Sequence, residues 1–311
     1  MAGEMPGSPH IAVAAGLPFV PGPGTFHPMT MKLRARLEEA LGSAPGRLHP
    51  LSGGSVAAVY RVDLSDRRRL VAKVDPGPEA RLSVEGRMLR HLREATGLPV
   101  PGVVHASDTL LVLDFVENDG RSTPAGEEEA AELVAALHDH TAPAYGFDHD
   151  TLIGGLPQPN PRRSSWVEFF AEERLLFMGA LCVEAGRMEP ATLRDVETLC
   201  GRLAAYLDPA PPALIHGDLW GGNVLWHQGR VAAFLDPALY YADPEIELAF
   251  TTLFTTFGEA FHTRYHELRP LRPGFHEVRR DLYNLYPLLV HVRLFGGSYL
   301  GAVKRTLRRF L

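Results

Sequence analysis

Residues 214–237, LIHGDLWGGNVLWHQGRVAAFLDP, constrain this chain more than any other stretch. An apolar lead ends in a tight turn at Gly217, and His216, Asp218 and Asn223 gather around that turn. A short polar turn follows, then the apolar run RVAAFL, which ends on Asp236. The alternation predicts two strand-like runs, with a hairpin joining Asn223 to Asp236. Such a hairpin brings these two residues together and leaves Asp218 on the turn beside them. Four polar residues at this spacing seldom collect at strand ends without a chemical use.

The rest of the chain predicts the frame around that stretch. With 311 residues there is material for one large core or two lobes. A helix is expected over 30–42, capped by Thr30, with Leu33, Leu37 and Leu41 on one face and Gly42 as its stop. In 47–75, Tyr60, Val62 and Leu64 alternate with Arg61, Asp63 and Ser65, the period of a half-buried strand. A polar turn at Ser65-Asp66 and a strand RLVAKV complete a hairpin, with Gly53-Gly54 at its front edge and Lys73 at its far end. A helix over 78–97 carries Glu85, and strands over 102–107 and 109–116 follow. The polar segment ENDGRSTPAGEEE then marks a boundary. Beyond it the chain reads as mostly helical, with helices near 126–140, 166–185, 190–207, 244–258 and 278–308 and a long loop over 142–165. The fold class expected is α+β, with an N-terminal extension at 1–28, a sheet-and-helix lobe at 29–117 and a larger helical lobe at 118–311. Met29 and Met31 are alternative starts.

Composition removes several function classes. The net charge of −6, from 31 basic and 37 acidic residues, argues against a nucleic-acid partner. No apolar run reaches the length of a membrane span, and IAVAAGLPFV at 11–20 is too short and interrupted for a good signal peptide. Cys182 and Cys200 form no framework and no CxxC pair, which fits the cytoplasm.

The polar residues acquire roles when taken together. Oxygen donors from Asn223 and Asp236 converging on one point suit Mg²⁺, and Asp218 is placed to accept a proton from an attacking hydroxyl. This is the order of parts in kinase-type phosphotransferases. That chemistry demands a strand Lys for nucleotide phosphates, and Lys73 qualifies. It demands a helix Glu to hold the Lys, and Glu85 qualifies. It also demands a turn over the phosphates, here Gly53, Gly54 and Ser55, and a strand leading to a crossover between lobes. Backbone groups of Asp114 and Val116 would there face the adenine. Taken singly these residues say little: a strand Lys commonly snorkels, a helix Glu is commonly a surface acid, and no GxGxxG is present. His216 fits an orienting part rather than the base.

GGSVAAVYRV, LVAKV, HGDLWGGN and FLDPALYYADPEIELAFTTLF resemble the fructosamine kinases, also called ketosamine-3-kinases. So do GFDHDTLIGGLPQPNPRRSSWVEFFAEERL and LYPLLVHVRLFGGSYLGAV. The resemblance runs from about residue 30 to the C-terminus. It implies the two-lobed protein-kinase-like fold shared with aminoglycoside phosphotransferases. It also implies ATP- and Mg²⁺-dependent phosphorylation of the 3-hydroxyl of a fructosamine or ribulosamine, free or on a protein, in deglycation repair. By the same resemblance Asp218 is the base, Asn223 and Asp236 hold Mg²⁺, Lys73 holds phosphates and Glu85 holds Lys73. Trp220 either packs on the sugar or is structural. A monomer is expected. Two alternatives stand beside this reading, a kinase for an aminoglycoside or choline-like hydroxyl and a nucleotide-binding regulator without catalysis.

Three departures carry expectations of their own. Asp236 sits in DPA rather than DFG, so no activation-loop switch is expected. The Gly-bearing turn lacks the Cys that many eukaryotic members use for redox control. Pro161-Arg162-Arg163 after PQPN is unlike relatives and alters the expected substrate mouth.

Overall fold

The computed structural model describes residues 26–51 and 57–311. The turn residues Gly53, Gly54 and Ser55 therefore lie outside the described residues. Helix α1 (Phe26–Leu41) leads into β1 (Leu48–Leu51), β2 (Ala58–Asp63) and β3 (Arg69–Val74). Helix α2 (Leu82–Ala95) follows, then β4 (Val103–Ala106) and β5 (Leu110–Asp114). These strands make one antiparallel sheet in the order β1-β2-β3-β5-β4.

The period of two in β5 sends alternate side chains to opposite faces, and both faces are covered. Leu110 and Val112 join Tyr60, Val62, Leu70 and Ala72 against Leu33 and Leu37 of α1. Leu111 and Leu113 turn the other way, onto Leu82, Met88, Leu89 and Leu92 of α2. That second layer is continuous with the core of the helical part, so α2 belongs to both halves of the molecule. The Phe234 N–H also donates to the Pro99 carbonyl at 2.8 Å, tying the segment after α2 to the strand that precedes Asp236.

The helical part begins at α3 (Pro124–Leu137), where Pro124 starts the helix and Thr123 caps it by accepting from the Gly126 N–H. Next come β6 (Thr151–Ile153), β7 (Leu156–Gln158), α4 (Trp166–Phe169), a π-helical turn (Phe170–Leu176), α5 (Phe177–Glu184) and α6 (Pro190–Cys200). The segment around residues 213–242 contains β8 (Ala213–Ile215), β9 (Val224–His227), β10 (Arg230–Phe234) and β11 (Tyr240–Ala242). The chain closes with α7 (Glu245–Leu253), α8 (Glu259–Leu268), a π-helical turn (Phe275–Arg279), α9 (Arg280–Tyr283), α10 (Leu285–Phe295) and α11 (Ser298–Phe310). Among the described residues no helix is long and apolar enough to cross a membrane.

Four expectations need correction, the first being the cap at Thr30, which lies inside α1 because that helix already begins at Phe26. The stretch 142–165 is not all loop, because β6 and β7 pair as a hairpin around Gly154-Gly155. The helix expected over 244–258 ends at Leu253, and α8 starts afresh at Glu259. The helix expected over 278–308 is broken at Gly296-Gly297, whose φ values of 65° and 63° leave the right-handed helical region.

Candidate active site

The site is built on two antiparallel strand pairs. Strand β8 pairs with β11, with Ile215 opposite Tyr240, and delivers the chain to Gly217. Gly217 has φ of +85°, and a Cβ there would lie 2.0 Å from the Ala238 carbonyl oxygen. Only glycine fits both constraints. The chain then reverses so that Asp218, on the turn, accepts the Asn223 Nδ2–H at 3.0 Å. The same amide also donates to the Asp218 carbonyl at 2.8 Å.

Strands β9 and β10 form the expected hairpin, with His227 opposite Arg230 and Val224 opposite Phe234. Its two-residue turn, Gln228-Gly229, has φ of 51° and 77°, the handedness of the tight hairpin turn. Asn223 precedes β9 and Asp236 follows β10, and the Leu235 N–H bonds to the Asn223 carbonyl at 2.9 Å. Asp236 itself holds φ of +52°, a strained value that aspartate tolerates better than most residues.

Lys73 closes the site from the sheet. Its Nζ donates to Glu85 Oε1 at 2.7 Å and also to Asp236 Oδ1. The side chain is 13% exposed, so it does not snorkel to solvent. Burial disfavours the ammonium, but Asp236 and Glu85 overcome that and raise its pKa above the usual lysine value. Burial likewise opposes ionisation of Asp236, and the Lys73 ammonium outweighs it, holding this carboxyl low. Asp218 has no such cation. Burial and the charge of Asp236 push its carboxyl up to about 7, against the opposing Asn223 bond.

The remaining expected residues are placed less decisively. The Asp114 N–H is spent on the Gly102 carbonyl, so only its carbonyl could face a base. The Val116 carbonyl accepts from the Asn118 side chain at 3.1 Å. Trp220 is 39% exposed, with its indole lying over Gly222. Cys182 is buried and Cys200 half-buried, both as free thiols.

Comparison with known proteins gives the family and the fold. The family model for fructosamine kinase matches residues 29–311. The chain belongs to the fructosamine kinase family. A Vibrio parahaemolyticus relative named probable ketoamine kinase is 34% identical over 269 residues, covering 84% of this chain and 91% of that protein. The chloroplastic protein-ribulosamine 3-kinase of Arabidopsis thaliana is 32% identical over 202 residues, 64% of this chain and 60% of that protein. A crystal structure assigned to fructosamine-3-kinase from Thermobifida fusca superposes with a TM-score of 0.80 at 34% identity, covering 89% of this chain and 97% of that one. The fold is thus the two-lobed kinase-like one, and membership of a kinase family carries with it the use of ATP.

The sequence did not reveal what holds the Gly217 turn of this family member in place. Glu247 of α7 is 2% exposed and accepts the Gly217 N–H at 2.6 Å and the His216 N–H at 3.1 Å. His138, fully buried at the end of α3, bonds the same carboxylate through Nε2 at 2.9 Å and Tyr265 through Nδ1 at 2.7 Å. Burial opposes the Glu247 charge, but these bonds win and hold its carboxyl below the usual value. His216 accepts the Asp218 N–H at Nδ1, 3.3 Å away, consistent with an orienting part. Burial holds its imidazole below the usual pKa, against Glu247 and Asp236. A charge inside the apolar helical run IELAF was the one signal for Glu247.

Proposed function

We propose that this chain is a ketosamine 3-kinase that transfers the γ-phosphoryl group of ATP to the 3-hydroxyl of a fructosamine or ribulosamine, in the cytoplasm and as a monomer. The observation that carries the reading is the convergence of the largely buried Lys73 and Glu85 with the half-exposed Asp236 in one cluster, with the Asp218–Asn223 bond beside it.

The donor set fits Mg²⁺. Asn223 uses its amide nitrogen on Asp218, which leaves its oxygen for a metal, and Asp236 offers a carboxylate. Hard oxygen donors of this number suit a cation that keeps water and phosphate in its remaining positions. Bound there, the ion would neutralise charge on the β- and γ-phosphate oxygens.

The chain's own residues supply position and field. Lys73, held by Glu85, would bind the phosphates, and Gly53, Gly54 and Ser55 would cover them. The Asp114 carbonyl and the Val116 backbone would meet the adenine. One Asp218 oxygen is oriented by Asn223, and the other would take the acceptor proton. As that proton moves, the 3-oxygen bonds to the γ-phosphorus, the bond to the bridging oxygen breaks and ADP departs. Trp220, exposed beside Asp218, would stack on the sugar. Little covalent work is asked of the protein, so alignment and charge dispersal dominate.

The test is ADP release from ATP and Mg²⁺ with fructose-lysine, ribulose-lysine, an aminoglycoside or no acceptor. Release with a ketosamine alone is expected, falling at least ~100-fold in Asp218→Asn, the scale of a lost general base. Release with the aminoglycoside alone would move the acceptor to another class while keeping the site.

A further inference from the structure

Arg174, in the π-helical turn after α4, is 0% exposed. A guanidinium stays charged, and a buried charge is ordinarily paired. Arg174 makes no ion pair among the described residues. Its Nη1 donates to the Pro159 carbonyl at 2.7 Å and the Glu173 carbonyl at 3.1 Å, and Nη2 donates to Asn160 Oδ1 at 2.6 Å. Its Nε is buried without a partner. The charge instead rests on aromatic faces, 3.9 Å from the Tyr240 centroid, 4.5 Å from Phe169 and 5.4 Å from Tyr286. An apolar side chain would fill this volume at lower desolvation cost, so packing alone does not account for an arginine.

What Arg174 touches gives it a use. Pro159 and Asn160 follow the β6–β7 hairpin. Asn160 Nδ2 and Gln158 Nε2 both donate to Thr151 Oγ1 at 2.8 Å, closing the hairpin on itself. Gln158 also donates to the Ala238 carbonyl at 3.0 Å and accepts the Tyr286 hydroxyl at 2.7 Å. The Ala238 carbonyl is the group packed against Gly217, and Tyr240 lies opposite Ile215 at the end of β8. Arg174 therefore bonds Pro159 and Asn160 with its fork and rests its face on Tyr240 of β11. Nucleotide groups gather at Lys73, on the sheet side. Ile153 of β6, Gly217, Tyr240 and Tyr286, the last bonded to Gln158, line one cleft, so this network borders the Asp218 turn on the side away from Lys73, the side left for an acceptor.

We propose that Arg174 is a positioning residue for the acceptor, fixing residues 158–160 against the β8–β11 pair that leads into the Asp218 turn. This inference rests on the ketosamine kinase reading. Lysine retains the charge but cannot reproduce the planar fork or its stacking.

The experiment uses the full chain with Arg174→Met, Arg174→Lys and Asn160→Ala. KM for fructose-lysine and for ATP, melting temperature and amide exchange of residues 146–163 are measured on each. Arg174→Met should raise the ketosamine KM by about tenfold, the scale of a lost charge-assisted bond, with ATP KM changed less than about twofold. Exchange over 146–163 should accelerate while that of β2 and β3 does not. Arg174→Lys should recover only part of the loss. Asn160→Ala should move the same KM in the same direction, and its effect should not add to that of Arg174→Met. A folded Arg174→Met with unchanged ketosamine KM, or with both KM values raised alike, overturns the proposal. Should that variant fail to fold, an unchanged ketosamine KM in Asn160→Ala overturns it. If the wild type phosphorylates neither ketosamine, the activity reading fails, and unchanged exchange over 146–163 in Arg174→Met separately overturns the part given to Arg174.

Discussion

The Glu247 carboxylate accepts the Gly217 backbone N–H at 2.6 Å, so a helix acid fixes the turn that presents Asp218. Both Glu247 oxygens are used, one by Gly217 and the other by His216 and His138. Replacing one oxygen by an amide sets N–H against N–H inside the core. Glu247→Gln should lower kcat by about tenfold and the melting temperature by roughly 2–5 °C, the range for one lost buried bond. The pH dependence follows from the lowered pKa. The folded carboxyl titrates below its ordinary 4.5, so its stabilisation is complete above 4.5 and lost as pH falls through the lowered value. The gap in melting temperature between wild type and Glu247→Gln should therefore narrow on going from neutral pH to about pH 4. A constant gap in calorimetric scans would assign the loss to shape rather than charge.

Lys73 stands between Glu85 and Asp236, and only Glu85 comes from the sheet-side helix α2. Glu85→Gln keeps the volume and removes the charge that draws Lys73 toward the sheet. Lys73 should then lean on Asp236 alone and meet the phosphates poorly. The expected result is an ATP KM raised about tenfold with the ketosamine KM unchanged. Steady-state kinetics with each substrate varied in turn separates these, and an unchanged ATP KM would leave Glu85 a structural acid.

In the proposed reading Asp236 is the carboxylate that would hold Mg²⁺ beside the Asn223 oxygen. Asp236→Ala should abolish the part of nucleotide affinity that depends on Mg²⁺ while metal-free binding persists. Calorimetric titration with ATP, with Mg²⁺ and with a chelator, reads both parts. A Mg²⁺-dependent gain that survives in the variant would place the metal elsewhere.

What could be read from the sequence divides along physical lines. Asp218, Asn223 and Asp236 were legible because polar residues at the ends of apolar runs are costly unless used, and the β9–β10 hairpin joins Asn223 to Asp236 as expected. Lys73 and Glu85 became legible only once that chemistry demanded partners, and they meet at 2.7 Å. The β6–β7 hairpin was not legible. Its strands have three residues each, too few to show a period, and side-chain bonds from Gln158 and Asn160 hold it. Glu247 was hidden because a helix acid reads as solvent-facing unless the tertiary partner is known. The break at Gly296-Gly297 was missed because apolar spacing resumes directly beyond it in α11.

Two glycines near Asp218 provide a contrast that tests the geometry of the turn. At Gly217 a Cβ would lie 2.0 Å from the Ala238 carbonyl oxygen, 2.8 Å from its carbon, and the φ is +85°. The obstacle is backbone, held by the Ala238 N–H bond to the His216 carbonyl at 2.8 Å, so it cannot swing aside as a side chain would. At Gly221 a Cβ would meet nothing within 4 Å. Gly217→Ala should therefore cost at least about 1–2 kcal/mol from the left-handed backbone alone, with the clash added. The turn must shift to relieve it, which carries Asp218 away from the acceptor and should lower kcat by about 100-fold, the scale attached to small misplacements of a reacting group. Gly221→Ala should leave the melting temperature within about 1 °C and kcat within about twofold, as for a surface change without contacts. Thermal melts and single-turnover rates on the pair decide it. Equal tolerance at both positions would mean that the Gly217 turn is free to relax, and that Asp218 is placed by something other than the close approach of Ala238.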